Sequence, residues 1–354
     1  MNLKNLHVLQ INTEKTWRGG ERQTIYILQG LREEGVPVSL LCLKNSPLHL
    51  KAQKQGFETF AVKNNLQAIL FLANYGKNFD ILHAQAAKAQ TQAVLTKPFH
   101  KRPIVYTRRV DFRPRGILTK FKYTSTDKIV VISYAIKNIL EEFGIKNTVV
   151  IPSFFVPKKK FDNKKAFQLK KSLKLGNKKV VATIAALVPH KDPFTMVRAI
   201  KELTKIRKDF VFLHFGQGKL YKEVACLISE LSLEDYYFLM GFHDQVEDYF
   251  SIFDIFVISS EQEGLCSSIL DAFFYKVPVV STDAGGLKEL VKDRGILCPK
   301  RDFKCLAKAI NLIMENNNLK SKLIQKAYIE VIQKYSLQTN IKKYLQVYKQ
   351  VIKS

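Results

Sequence analysis

The strongest constraint on the fold is a stretch near residue 260 in which a strand pattern and a helix pattern alternate twice. Residues 255–259 form a short apolar run typical of a buried strand, and a polar loop leads from it to an amphipathic helix pattern over 267–275. A second apolar run, 277–281, is followed by Gly285 and Gly286 and another helix pattern. This order predicts an α/β protein built on a parallel sheet.

The polar loop has the residues expected of a ligand site. Loops that follow parallel strands bind ligands in α/β folds, and this loop leads into the first amides of a helix, those of Leu265, Cys266 and Ser267. Amides at a helix N-terminus suit an anion such as a diphosphate. Two carboxylates, Glu263 and Asp271, flank these amides and are good acceptors for sugar hydroxyls. The loop therefore predicts a nucleotide-sugar site.

Segment 263–272 resembles the signature of the retaining GT-B glycosyltransferases of the family 4 type, in which two glutamates are separated by seven residues. The resemblance implies that Glu263 holds the donor sugar, that the backbone after Gly264 holds the diphosphate, and that Asp271 holds the ribose. Asp271 departs from the family pattern because aspartate is one methylene shorter than glutamate. It keeps the charge and both acceptor oxygens, so the expected role is unchanged.

A second match follows the strand pattern over 180–185. The family has a lysine here that binds the donor diphosphate, and Lys191 stands at that position. The family's preceding arginine is replaced by Ala186. The resemblance therefore leaves one phosphate contact absent or supplied by another cation, such as Arg108, Arg109 or His190.

Further matches involve a histidine and several loop residues. A strand pattern over 80–83 ends at His83, and in the family a histidine at this strand end lies near the transferred sugar. The resemblance implies a hydrogen bond from His83 to the sugar, while a structural role for a lone histidine stays open. It also assigns loop residues to donor binding: Gly19, Gly20, Gly216, Gly241 and Phe242.

The length of 354 residues predicts two domains, because single cores rarely grow to this size. The polar run 157–165 opens with Pro157 and reads as the boundary. We expect an acceptor-side domain over 1–160, a donor domain over 161–335 and a last helix over 336–354. The resemblance implies the GT-B arrangement, two doubly wound Rossmann-like domains facing across a cleft, with the last helix crossing back to the first domain.

The net charge of +26 indicates anionic partners. Residues 97–128 hold ten basic and two acidic residues, interleaved with apolar ones. Basic and apolar residues together favour an anionic membrane surface, or a phosphorylated lipid-linked or oligosaccharide acceptor. We expect Arg108, Arg109, Arg113 and Arg115 to form this acceptor or membrane patch. A solvated basic face is the alternative.

The five cysteines are scattered, odd in number and lack metal-ligand spacing, which favours a reducing cytoplasm. No apolar run reaches the roughly 18 to 20 residues that span a bilayer. The N-terminus reads as a first strand and lacks the pattern of a signal peptide. We therefore expect a cytoplasmic protein, peripheral on the inner face of the cell membrane.

The resemblance implies a retaining glycosyltransferase of hexosyltransferase type, and the basic charge favours a role in lipopolysaccharide or other envelope glycoconjugate synthesis. The resemblance implies no metal, no cofactor and no protein nucleophile, since the nucleotide sugar is a substrate. A GT-B nucleotide-sugar epimerase is the main alternative and needs no basic acceptor surface. A paired-carboxylate hydrolase fits less well, because nothing marks Glu263 or Asp271 as a raised-pKa acid. A nucleic-acid-binding module is the weaker alternative: we expect no nucleic-acid partner, because the basic residues form no recognised binding motif.

Overall fold

The computed structural model describes residues 6–158 and 163–353. The chain divides into two compact units: unit 1 contains Met1–Val156 and Tyr335–Ser354, and unit 2 contains Pro157–Lys334. Part of the boundary run expected at 157–165, residues 159–162, lies outside the described residues.

Unit 1 is built on a seven-stranded parallel sheet with the order β3-β2-β1-β4-β5-β6-β7. Its strands are β1 (Val8–Asn12), β2 (Val38–Leu43), β3 (Glu58–Val62), β4 (Ile81–Ala84), β5 (Ile104–Arg108), β6 (Lys128–Val131) and β7 (Thr148–Val150). The helices between them are α1 (Gly19–Glu33), α2 (Pro47–Lys54), α3 (Asn65–Tyr75), α4 (Ala87–His100), α5 (Ile117–Thr124) and α6 (Tyr134–Glu142).

Unit 2 is built on a six-stranded parallel sheet with the order β10-β9-β8-β11-β12-β13. Its strands are β8 (Lys179–Ile184), β9 (Phe210–Phe215), β10 (Tyr237–Gly241), β11 (Ile255–Ile258), β12 (Val279–Thr282) and β13 (Ile296–Cys298). Its α-helices are α7 (Asn163–Ser172), α8 (Pro193–Ile206), α9 (Tyr221–Glu230), α10 (Ser267–Phe274), α11 (Leu287–Val291), α12 (Phe303–Glu315) and α13 (Asn317–Lys334). The two Rossmann-like units confirm the predicted α/β class.

The strand order of each sheet reverses at one place. In unit 1 the chain builds outward from β1 to β3 and then returns to place β4 beside β1. In unit 2 it builds from β8 to β10 and returns to place β11 beside β8. The loops that leave neighbouring strands at such a switch point diverge, and ligands bind in the crevice between them.

Helix α14 (Leu337–Lys353) closes unit 1 by packing on α1. Its apolar face joins the same core cluster as β1, β5 and α1. The approach is close at Gly30 of α1, where an added Cβ would lie 2.2 Å from Cγ1 of Ile341. Only a residue without a side chain fits there.

Two structural findings bear on the cysteine and membrane expectations. Cys298 at the end of β13 and Cys305 in α12 form a disulfide, with Cα atoms 5.7 Å apart. The scattered cysteine spacing did not indicate this pair.

Within the described ranges, no helix combines the length and the apolar character needed to cross a membrane.

Gly30→Leu should destabilise unit 1, because the leucine would overpack the contact with Ile341. Such overpacking lowers the free energy of unfolding by about 1–3 kcal/mol, which urea denaturation measures. Adding Ile341→Ala to the same chain should recover part of the loss by making space. Wild-type stability of the Gly30→Leu protein would contradict this packing.

Candidate active site

The first candidate residue of unit 2, Lys191, is positioned by a tight turn after β8. Pro189–Lys191 form one 3-10 turn, and Asp192 then adopts a left-handed backbone with φ 45°. The Asp192 carboxylate caps α8 by accepting from the Thr195 amide at 3.1 Å. This cap fixes where the turn ends, and therefore where Lys191 leaves the backbone.

Lys191 forms an ion pair with Glu263, which lies in the loop between β11 and α10. The two side chains are only 19% and 13% exposed. The Ser260 hydroxyl lies 3.4 Å from the same carboxylate oxygen. The pair joins the loops that follow β8 and β11, so it stands at the switch point of the sheet.

Hydrogen bonds connect the three loops around this ion pair, which follow β8, β11 and β12. The Glu261 amide donates to the carbonyl of His190 at 2.9 Å, and the Ser259 hydroxyl donates to the carbonyl of Asp192 at 2.8 Å. On the other side, the Gly286 amide donates to the carbonyl of Glu263 at 2.9 Å. The backbone that carries Glu263 is therefore fixed from both neighbouring loops.

The N-terminus of α10 lies directly after this acidic loop. Gly264 and Leu265 precede the helix, Cys266 is its N-cap residue and Ser267 is its first residue. Amides of a first helical turn have no intrahelical acceptor, so they are available to an anion. Burial, and then the nearby Glu263 carboxylate, raise the pKa of the Cys266 thiol. Cys266 is therefore a neutral thiol and a poor nucleophile at neutral pH.

Asp271 lies in the second turn of α10 with only 4% of its surface exposed. The structure thus places it on the same helix as the predicted diphosphate-binding amides. Its role toward a ribose stays a prediction.

Close backbone packing determines the positions of the other predicted loop residues of unit 2, Gly216, Gly241 and Phe242. A Cβ on Gly216 would lie 1.9 Å from the carbonyl oxygen of Ala185, so the end of β9 can approach the loop after β8. The Gly216 amide donates to the Gly241 carbonyl at 2.7 Å, which joins the ends of β9 and β10. Phe242 follows β10 and is about half exposed. These residues lie at the carboxyl edge of the sheet, and their contacts with a donor stay a prediction.

In unit 1, Gly19 and Gly20 begin α1 after β1, at the switch point of that sheet. The Arg109 side chain lies beside them, since a Cβ on Gly20 would be 3.8 Å from its Cδ. Both terminal nitrogens of Arg109 donate to Gln85, one to the backbone carbonyl at 2.8 Å and one to the side-chain oxygen at 2.5 Å. Arg109 is therefore a fixed cation next to the glycine loop.

The structure argues against the predicted hydrogen bond from His83 to a sugar. His83 is fully buried, with Nδ1 2.7 Å from the Tyr348 hydroxyl and Nε2 2.8 Å from the Thr107 hydroxyl. Both ring nitrogens thus have partners inside unit 1. Burial, and then the Arg109 charge, lower the pKa of His83 well below its usual value, so the ring is neutral. The geometry favours the structural alternative.

The four arginines expected to form one patch separate into two groups. Arg108 is buried and donates to the Tyr123 hydroxyl and the Phe112 carbonyl. Arg109 is turned toward Gln85, as described above. Arg113 and Arg115 are exposed. Arg108 is therefore not part of an exposed patch, because β5 places it in the interior of unit 1.

Sequence reasoning missed two contacts of the site. Arg301, after β13, makes a two-pronged ion pair with Glu261, at 2.6 and 2.8 Å. Gln85 supports Arg109 from the end of β4. Each residue follows a strand at the carboxyl edge of its sheet, and this position is the signal that would have marked them.

Two doubly wound units, with an acid, a lysine and a helix N-terminus at the switch point of the second, define the GT-B class. The family model of the glycosyl transferases group 1 matches residues 164–330, and that of glycosyltransferase family 4 matches residues 17–158. The chain belongs to the GT-B glycosyltransferases of the family 4 type.

The Campylobacter jejuni protein named N,N'-diacetylbacillosaminyl-diphospho-undecaprenol alpha-1,3-N-acetylgalactosaminyltransferase is 24% identical over 318 residues, covering 82% of each chain. A glycosyltransferase structure from Rickettsia africae has a TM-score of 0.85 at 21% identity, covering 99% of each chain. Anabaena HepE, crystallised with UDP and glucose, gives 0.84 at 18% identity, covering 98% of this chain and 100% of HepE. These structural likenesses show the fold. The chain spans about half the length of the first curated relatives that it matches.

Tyr348→Phe should destabilise unit 1, because it leaves a buried nitrogen of His83 without its hydroxyl partner. The expected loss is about 1–3 kcal/mol in the free energy of unfolding, measured by chemical denaturation. Tyr75→Phe is the matched control, since the Tyr75 side chain is exposed. Equal stability of the two variants would contradict the buried network.

Acid should destabilise the fold through its buried neutral histidines. In unit 2, burial lowers the pKa of His214 from 6.5 to about 4. Between pH 6.5 and about 4, His214 is protonated in the unfolded chain but neutral in the folded chain. The free energy of unfolding is therefore highest above pH 6.5 and falls as the pH drops toward 4. The slope is about 1.4 kcal/mol per pH unit. Urea denaturation of His214→Gln should show a flatter pH profile between 6.5 and 5 than the wild type, and an unchanged profile would contradict this assignment.

Proposed function

We propose that the protein transfers a sugar from a nucleotide-diphosphate donor to an acceptor hydroxyl, with retention at the anomeric carbon. The observation that carries this proposal is the Lys191–Glu263 ion pair at the switch point of unit 2, next to the N-terminus of α10. A cation and helix amides suit the diphosphate, and a carboxylate suits sugar hydroxyls.

The donor would bind by replacing the ion pair. Lys191 would turn to the phosphate oxygens, and Glu263 would accept hydrogen bonds from the sugar. Each charged group then exchanges one partner for another, so neither is left unpaired in a partly buried site. Asp271 would hold the ribose from the second turn of α10.

Charge grows on the diphosphate as the bond to the sugar breaks. With the donor bound, Lys191 and the first amides of α10 would already face the phosphates and would stabilise that charge without further movement, which is how pre-positioned donors lower a barrier. The Cys266 thiol is kept neutral by burial and is not a nucleophile here. Retention is supported by the resemblance to the retaining family 4 enzymes.

The acceptor is proposed to be lipid-linked or an oligosaccharide of the bacterial envelope, such as lipopolysaccharide. The name of the Campylobacter jejuni relative includes a diphospho-undecaprenol, which is a lipid-linked diphosphate. The net charge of +26 suits an anionic acceptor and a peripheral position on the inner face of the cell membrane.

Glu263→Gln should lower the release of nucleoside diphosphate from the preferred donor by about 100-fold or more, because it removes a charge that holds the sugar. A panel of UDP, GDP and ADP sugars, each with and without bacterial lipid extract, identifies that donor. Glu234→Gln is the matched control, since this carboxylate is exposed in the loop before β10, at the opposite edge of the same sheet. Equal activity of the two variants would remove Glu263 from the site.

The first-formed product distinguishes the reactions that share this fold. NMR of the transferred sugar should show the anomeric configuration of the donor. An inverted product would contradict retention. Formation of an epimerised nucleotide sugar, independent of lipid extract, would identify an epimerase instead.

A further inference from the structure

The exposed apolar side chains of unit 1 are concentrated on one face of its sheet. Right-handed crossovers place α1 and α2 on one face and α3 to α6 on the other, because the chain reverses direction after β3. The α3 to α6 face exposes Leu66 and Leu70 of α3 and Leu95 and Phe99 of α4. On the opposite face, Leu50 is the one exposed large apolar side chain among the described residues.

Helix α5 carries the two most exposed of the large apolar side chains. Ile117 is 83% exposed and Leu118 is 82%, and the same helix exposes Phe121 at 65%. The helix is anchored from its other side by Tyr123, which is buried and accepts from the Arg108 guanidinium. Three large apolar groups on a short anchored helix are unusual for a surface that meets only water.

Exposed basic residues flank these apolar side chains along the chain. Arg115 and Lys120 are exposed beside Ile117 and Phe121, and Lys101 is exposed next to Phe99. Arg113 makes an ion pair with Glu142 at 3.1 Å, but both side chains are exposed and such pairs are weak. The segment 97–128 keeps an excess of eight positive charges. Exposed apolar residues interleaved with cations are the chemistry that suits an anionic bilayer surface.

We propose that unit 1 docks on an anionic phospholipid bilayer through α5. Ile117, Leu118 and Phe121 enter the boundary between headgroups and acyl chains, while Arg115 and Lys120 contact lipid phosphates. This inference deepens the proposed function, because it names the surface on which a lipid-linked acceptor would be met. It also replaces the four-arginine patch, since Arg108 and Arg109 are bonded inside unit 1.

Vesicle sedimentation with the full chain tests the apolar half of the surface. The triple variant Ile117→Gln, Leu118→Gln, Phe121→Gln should bind phosphatidylcholine–phosphatidylglycerol vesicles at least tenfold more weakly than the wild type. The matched control is Phe167→Gln, Ile206→Gln, Ile329→Gln, which removes three exposed apolar groups from unit 2. The control should bind within twofold of the wild type. Equal losses in the two triples would overturn the assignment to α5.

The charged half is tested with Arg113→Gln, Arg115→Gln, Lys120→Gln against Lys171→Gln, Lys322→Gln, Lys326→Gln. Only the first triple should weaken binding, and added salt or pure phosphatidylcholine should do the same to the wild type. Equal binding to neutral and anionic vesicles would contradict the role of charge. RNA that competes with the vesicles and binds more tightly would overturn the bilayer as the partner.

Donor binding, followed in parallel by thermal shift with nucleotide sugars, separates the two proposals. The α5 triple should keep the wild-type shift, because its residues lie in unit 1 and the predicted donor residues of the ion pair lie in unit 2. A wild-type protein that binds a donor but no vesicles overturns the docking proposal alone. One that binds vesicles but no donor overturns the proposed function and leaves the docking surface supported.

Discussion

The ion pair between Lys191 and Glu263 is the interaction on which the candidate site depends. Two partly buried charges stay together only where the surrounding backbone fixes both side chains, because desolvation opposes their attraction. Unit 2 meets this condition by placing β8 beside β11 and by fastening the loops that follow them. The Asp192 cap and the Gly286 contact complete the frame. The same sheet reversal that defines the fold therefore brings together the lysine and the carboxylate that we propose bind the donor.

The switch point of the unit 1 sheet has a different content from that of unit 2. Its switch point contains a buried polar network in which Tyr348 of α14 bonds His83, and Gln85 bonds Arg109. Buried polar groups are costly unless each has a partner, so the network depends on α14 being in place. The absence of a side chain at Gly30 allows that helix to approach α1. Packing in α14 thus supports a cation beside the glycine loop.

Much of this organisation was predictable from local sequence. Apolar runs such as 210–215 mark buried strands, and the spacing from Glu263 to Asp271 marked the loop that the structure places at the switch point. Strand β3 was not predicted, because it is an edge strand in which only Val62 is buried and which has no clear apolar pattern. The Cys298–Cys305 pair was also missed, since only the packing of α12 beside β13 brings the two together.

The direction of individual side chains was the least predictable part. His83 and Arg108 stand at the ends of strands in unit 1, where sequence reasoning expects contact with a ligand. Their side chains instead meet Tyr348 and Tyr123, residues that are distant or unremarkable in sequence. Such partners are set by tertiary packing, which local patterns do not contain.

Thermal shift with a panel of nucleotide sugars and nucleoside diphosphates tests the central claim most directly, because a ligand of the folded state raises the melting temperature. The account predicts that one nucleotide sugar stabilises the wild type and that Lys191→Met loses this response. Glu263→Gln should lose the additional stabilisation that the sugar contributes, so that it responds to the nucleotide sugar no more than to the nucleoside diphosphate alone. An equal response in all three proteins, or no response to any nucleotide, would contradict the assignment of this ion pair to donor binding.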